Sequence, residues 1–131
     1  MHNLYDTSVI IEHIRGNNVV STYLSQQELY CSVITGGELI QGVQNKHDQR
    51  VVEKILARMT MLPLTPAIGE CMVDFIKAFH LSQGLAIPDA LIAATAIEHD
   101  LVLVTHNTKH FSFIPKLSVR SWKEAVGEMV G

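Results

Sequence analysis

The 131 residues, 47% of them hydrophobic and 18% charged, match the usual size of one domain with a core of its own. That balance excludes a disordered chain. The net charge of −3 excludes a generally basic nucleic-acid coat but not a local basic face. Cys31 and Cys71 form no C-x-x-C and no metal-type spacing, so buried reduced thiols are expected. The opening MHNLYDTSVI lacks a basic n-region and a long apolar stretch, and no apolar run approaches the roughly 20 residues of a membrane span. A cytoplasmic protein without membrane association is the expectation.

In chain order, residues 2–6 (HNLYD) read as a short strand, and 7–15 (TSVIIEHIR) follow with helical spacing until Gly16-Asn17-Asn18. Val19 to about Gln26 reads as a second short helix. ELYCSVI (28–34) is rich in strand formers. Thr35 opens a helix, TGGELIQGVQ, and a further helix spans about 48–60 with Val51, Val52, Ile55, Leu56 and Met59 on one face. MLPLT (61–65), broken by Pro63, is an edge strand or a connection. Residues 67–83 set Ile68, Met72, Phe75, Ile76 and Phe79 on a stripe that serves either as core or as a groove. Pro88 and Asp89 start the Ala-rich helix DALIAATAIEH, LVLVT (101–105) has the continuous apolar character of a strand buried on both faces, and LSVRS (117–121) is a last edge strand. With no linker or repeat, residues 1–131 are expected to form one domain. Strands alternating with helices predict an α/β fold: three layers, α/β/α, with a mostly parallel central sheet of four or five strands. Sites in such sheets lie beyond the carboxyl ends of the strands, at the switch in strand order.

Three acids and one amide fall at that edge: Asp6 after the first strand, Glu38 early in the helix after the second, Asp89 at the start of the Ala-rich helix, and Asn107 past LVLVT. Oxygen donors of this kind suit hard divalent cations, and a cation relieves the repulsion of clustered carboxylates. Each residue also has a plain structural explanation. Asp6 suits a helix N-cap; Thr35-Gly-Gly-Glu38 fits a capping box; Asp89 complements a helix dipole; Asn107 suits a turn.

LYDTSVII, SVITGGELIQG, IPDALIAATA and LVLVTHNTKHF occur in the order found in PIN-domain ribonucleases, and the chain resembles the VapC-type toxins of type II toxin–antitoxin systems across nearly its whole length. The resemblance implies a metal-dependent endoribonuclease that hydrolyses structured RNA, with the initiator tRNA as one substrate and inhibited translation as the result. It assigns catalytic positions to Asp6, Glu38, Asp89 and Asn107. It also assigns one Mg²⁺ (or Mn²⁺) held chiefly by Asp6 and Asp89, and orienting hydroxyls at Thr7, Ser8 and Thr105. Either Asp89 or Glu38 takes the proton. Many relatives carry Asp where Asn107 stands, which leaves the number of metals open. Gly36-Gly37 departs from the bulkier residues common in the family and is expected to loosen the helix start. The resemblance further implies a VapB-type antitoxin, whose tail places an Arg among the acids, and a homodimer.

Lys46, Arg50 and Lys54 are spaced by four and form a basic stripe, continued by Arg58, that meets either RNA phosphates or solvent. His106 and His110 have the spacing of a zinc pair, but no third ligand accompanies them; phosphate contact by His106 and Lys109 fits as well as plain exposure. Two other readings stand beside the nuclease. An aspartate-phosphorylating phosphatase would need a second Asp where Ser8 lies. A PIN-fold module that binds RNA or protein with lost or weak cleavage takes its support from the neutral Asn107.

Overall fold

A computed structural model describes residues 2–130, with side chains as far as Gly127. The elements run β1 (Asn3–Tyr5), α1 (Thr7–Ile14), α2 (Asn18–Ser25), β2 (Tyr30–Ser32), α3 (Val33–Gln41), α4 (Lys46–Ala57), β3 (Thr60–Leu62), α5 (Pro66–Gln83), α6 (Ile87–Glu98), β4 (Val102–Thr105), β5 (Val119–Ser121) and α7 (Trp122–Val130). One 3₁₀ turn, Thr108–His110, follows β4.

The five strands pair in the order β3-β2-β1-β4-β5, every pair parallel. The sheet is thus wholly parallel, as sheets covered by helices on both faces tend to be. Successive side chains of a strand point to opposite faces, and the core divides accordingly. Tyr5, Cys31 and Val104 join α1, α2, α4 and Trp122 of α7 on one side. Leu4 and Leu103 join Ala90, Ile92, Ala93 and Phe111 on the other. The chain builds outward from β1 to β2 and β3, then crosses over to β4 on the opposite flank. The strand order therefore switches beside β1 and β4.

Local chemistry fixes the helix ends. Asn17 caps α2 through Val19 N, Asn45 caps α4 through Asp48 N, and Thr65 caps α5 through Ile68 N. α5 stops at Gly84, whose φ of 69° is the left-handed conformation glycine adopts without penalty. On α5, Ile68 is fully buried and Met72, Phe75, Ile76 and Phe79 pack partly buried against the core, so the stripe serves as core.

Two expectations need correction. The second strand ends at Ser32, because Ser32 caps α3 by accepting from Ile34 N (3.0 Å). Helix α3 therefore begins at Val33, two residues before Thr35, and Thr35 and Glu38 form no capping box. Second, Gly36 does not loosen a helix start. It lies inside α3 where an added Cβ would come within 2.5 Å of Met61 Sδ, so glycine permits the close approach of α3 and β3. Helix α7 carries no strong pattern in sequence; its Trp122 meets Tyr23 edge-on at 5.1 Å.

Candidate metal and catalytic site

Asp6 leaves β1 in an extended conformation (φ −67°, ψ 154°) and caps α1, its Oδ1 accepting from Thr7 N at 2.9 Å. The capping reading is therefore right, and it occupies one oxygen. The other, Oδ2, accepts from Ser8 Oγ at 2.9 Å and Thr105 Oγ1 at 2.7 Å. Thr105 is fully buried and Asp6 is 6% exposed. Two further bonds tie the β4 loop to this knot: His106 N donates to Ser8 Oγ (3.2 Å) and Asn107 N to Thr105 Oγ1 (3.0 Å). Ser8 and Thr105 thus meet Asp6 through their hydroxyls and Thr7 through its backbone N–H. Three donors address a carboxylate with about four lone-pair positions, so Asp6 is held rigidly with acceptor capacity left over.

Glu38 stands on the exposed side of α3, its Oε1 accepting from Thr7 Oγ1 at 2.8 Å. Thr7 Oγ1 lies 2.9 Å from Thr35 Oγ1. Asp89 sits in the first turn of α6, half-buried, with Oδ2 3.8 Å from His110 Nδ1. Burial raises the Asp89 pKa above the usual carboxylate range, and the charge of Asp6 and, more weakly, Glu38 adds to this, while His110 opposes it. The first turn of α6 by itself favours ionised Asp89; desolvation and repulsion act against it. One carboxyl that feels two others is the electrostatic sign of a shared acidic cluster.

Convergence is only partial in this arrangement. Asp6, Glu38 and Asp89 are electrostatically joined. Asn107 reaches the same edge through its backbone, but its exposed side chain caps nothing. Among the described residues, no three His, Cys, Asp or Glu side chains lie close enough to enclose a metal ion by themselves. The donor set nonetheless fits a hard cation: Asp6 and Asp89 offer anionic oxygens, and Mg²⁺ is commonly held by one or two carboxylates with other oxygen ligands completing the shell.

The basic residues lie elsewhere. Lys46, Arg50 and Lys54 are exposed on the face of α4 opposite buried Val52 and Leu56. The His106 ring leans on Trp122, 6.0 Å between centroids, and Lys109 is exposed in the 3₁₀ turn. His106 and His110 do not share an α-helical face, since Thr108–His110 is a single 3₁₀ turn. Sequence reasoning missed the pairing of His110 with Asp89 and the contact of Thr35 with Thr7. Ser32, two residues before Ile34, was the available signal that Thr35 is free of capping duty.

Residues 4–117 match the PIN domain family. This chain belongs to the PIN-domain family. It is 33% identical over 119 residues to ribonuclease VapC10 of Mycobacterium tuberculosis, a match covering 87% of this chain and 89% of that one. It resembles a chain of a toxin–antitoxin complex from Klebsiella pneumoniae, with a TM-score of 0.72, 30% identity, and 88% and 94% of the two chains covered. It also resembles a chain of the DNA-bound VapBC complex from Salmonella typhimurium, with a TM-score of 0.80, 25% identity, and 93% and 99% covered.

Proposed function

We propose that the protein is the toxin of a VapBC-type toxin–antitoxin pair, a divalent-metal-dependent endoribonuclease that cleaves structured RNA, the initiator tRNA foremost, and so arrests translation. The observation that carries this reading is the Asp6–Asp89 pair, with Glu38 in electrostatic range, at the switch point of a PIN-family sheet.

Asp6 and Asp89 would hold the cation, Mg²⁺ or Mn²⁺. When bound, such an ion lowers the pKa of water and offsets charge developing on phosphate oxygens. Thr7, Ser8 and Thr105 keep Asp6 in one orientation, sparing the cost of ordering it at binding. Asp89 and Glu38 are the two candidates for taking the proton. Asn107 offers a neutral oxygen, which leaves room for an RNA phosphate. His106 and Lys109 flank the acidic edge as phosphate contacts, and Lys46, Arg50 and Lys54 form a more distant track for the RNA backbone.

The partner is a VapB-type antitoxin. A groove of about 410 Å³ between α1, α3 and α4, lined by Ile11, Ile14 and Val51 and bordered by Glu38 and Asp48, suits a segment carrying apolar anchors and an Arg aimed at the acids. A homodimer would cover the exposed apolar residues Val73, Leu81 and Ile87 beside α5. Among the described residues no helix is long and apolar enough to cross a membrane; residence in the cytoplasm, with its RNA, is part of the proposal.

The second reading, a PIN-fold module that binds RNA or protein but cuts weakly or not at all, draws on the neutral Asn107. The decisive experiment incubates purified protein with total tRNA and Mg²⁺ and sequences the RNA ends. Defined breaks that vanish with EDTA and in Asp89→Ala establish the nuclease. RNA retention without breaks establishes the binding module.

A further inference from the structure

Tyr5, Tyr23, Trp122 and His106 make a line of rings from the core to the surface. Tyr5 meets Tyr23 edge-on, with 6.3 Å between centroids and 77° between planes. Tyr23 meets Trp122 edge-on at 5.1 Å and 88°. Trp122 meets His106 at 6.0 Å and 55°. Aromatic rings attract one another at centroid separations of about 4.5–7 Å. The first three rings are buried, whereas His106 is exposed. His106 follows Thr105, whose hydroxyl donates to the Asp6 carboxylate, and its own backbone N–H donates to Ser8 Oγ at 3.2 Å. The exposed ring is thus held at two points, by its backbone beside Asp6 and by its side chain against a packed indole.

We propose that the His106 ring is a stacking platform for a nucleobase at the edge of the acidic cluster. Immobilising a side chain on binding costs free energy, and contact with Trp122 has already ordered this one. Every base offers a flat π-face, and unstacked bases of single-stranded nucleic acid settle on aromatic side chains, histidine included. A phosphate contact uses only the nitrogens at the ring edge and gains nothing from a ring plane fixed by an indole. Lys109, exposed three residues further on, is placed for an adjoining phosphate. The platform favours single-stranded or splayed-out nucleotides, because bases in a duplex keep their faces covered by their neighbours. That the stacked base belongs to a substrate of the acids rests on the function proposed above; the ordered ring does not.

The test is run in EDTA, so that the RNA stays intact whether or not the protein is a nuclease. Two fluorescein-labelled probes with the same number of phosphates are compared by anisotropy, a single-stranded hexa-adenylate and its abasic counterpart. The wild type is expected to bind the hexa-adenylate about five-fold or more tighter, the least that one stacked base contributes. His106→Phe, which keeps a ring without nitrogens, should retain that preference. His106→Ala and His106→Gln, which lack the ring, should lose it while still binding the abasic probe as the wild type does. The His106 ring protons should also move upfield in the NMR spectrum on addition of the hexa-adenylate and stay in place with the abasic probe. Equal affinity of the wild type for the two probes, or binding of neither, overturns the platform. So does a preference kept by His106→Gln and lost in His106→Phe, the mark of a hydrogen-bonding edge, or an equal loss for both probes in His106→Ala, the mark of a structural role. A protein that shows the expected preference yet leaves tRNA uncut with Mg²⁺ would sink the nuclease reading and keep the platform.

Discussion

Asp89 illustrates how one carboxyl is tuned by competing forces. It occupies a helix first turn, where ionisation is favoured, yet burial and the charges of Asp6 and Glu38 raise its pKa. A group whose folded pKa lies above its unfolded value gives stability that is present at low pH and lost as pH rises through the folded pKa. At pH 7 ionised Asp89 is therefore a cost to the metal-free protein. Asp89→Asn should melt higher than wild type at pH 7, and the gap should close as pH falls below the carboxylate range; thermal denaturation between pH 3.5 and 7 checks this. The same substitution should remove any stabilisation by added Mg²⁺. Thr105 acts on the neighbouring ligand. Thr105→Val keeps the shape but deletes the 2.7 Å bond to Asp6, and a drop of roughly 10–100-fold in metal affinity is expected from such a loss, measurable by calorimetry.

Among the elements, α3 carries the most function in the fewest residues. Its cap, Ser32, is buried and closes β2 in the same stroke. Its two glycines differ in kind. A Cβ at Gly36 would displace the Met61 side chain, whereas Gly37 has open space around that position and ordinary helical geometry. Gly37→Ala should thus gain roughly 0.5–1 kcal/mol, mainly by reducing the freedom of the unfolded chain, and raise the melting temperature by a few degrees. If RNA or an antitoxin needs the exposed Gly37 surface, the same variant will bind its partner less well while melting higher. Cys31, buried at the centre of β2, has its thiol pushed up to about 12 by burial, so it is an inert core residue.

At the scale of the whole molecule the issue is charge. A protein of net charge −3 with Asp6, Glu38 and Asp89 near one another must approach a polyanion. α4 presents Lys46, Arg50 and Lys54 to solvent on the side away from the core. If they meet RNA phosphates, Arg50→Glu with Lys54→Glu should flatten the salt dependence of RNA binding by about 1.4 in log–log slope, two contacts at roughly 0.7 each for single strands. An unchanged slope, read by filter binding at several salt concentrations, would return the stripe to the role of a solvated helix face.

Most of the architecture was legible from the residues themselves. The apolar run LVLVT marked a strand buried on both faces, Pro88 marked a helix start, and the alternation of strands and helices defined the parallel sheet, because periodicity and turn chemistry are local properties of the chain. Asp6, Glu38 and Asp89 were also picked out by their positions at strand and helix ends, which a parallel sheet gathers at one edge. Only the tertiary structure decided that the Met61 side chain lies against Gly36 and that His110 is the neighbour of Asp89. Those facts depend on side chains from distant segments meeting, and no spacing along the chain encodes such a meeting before the sheet has brought its strands together.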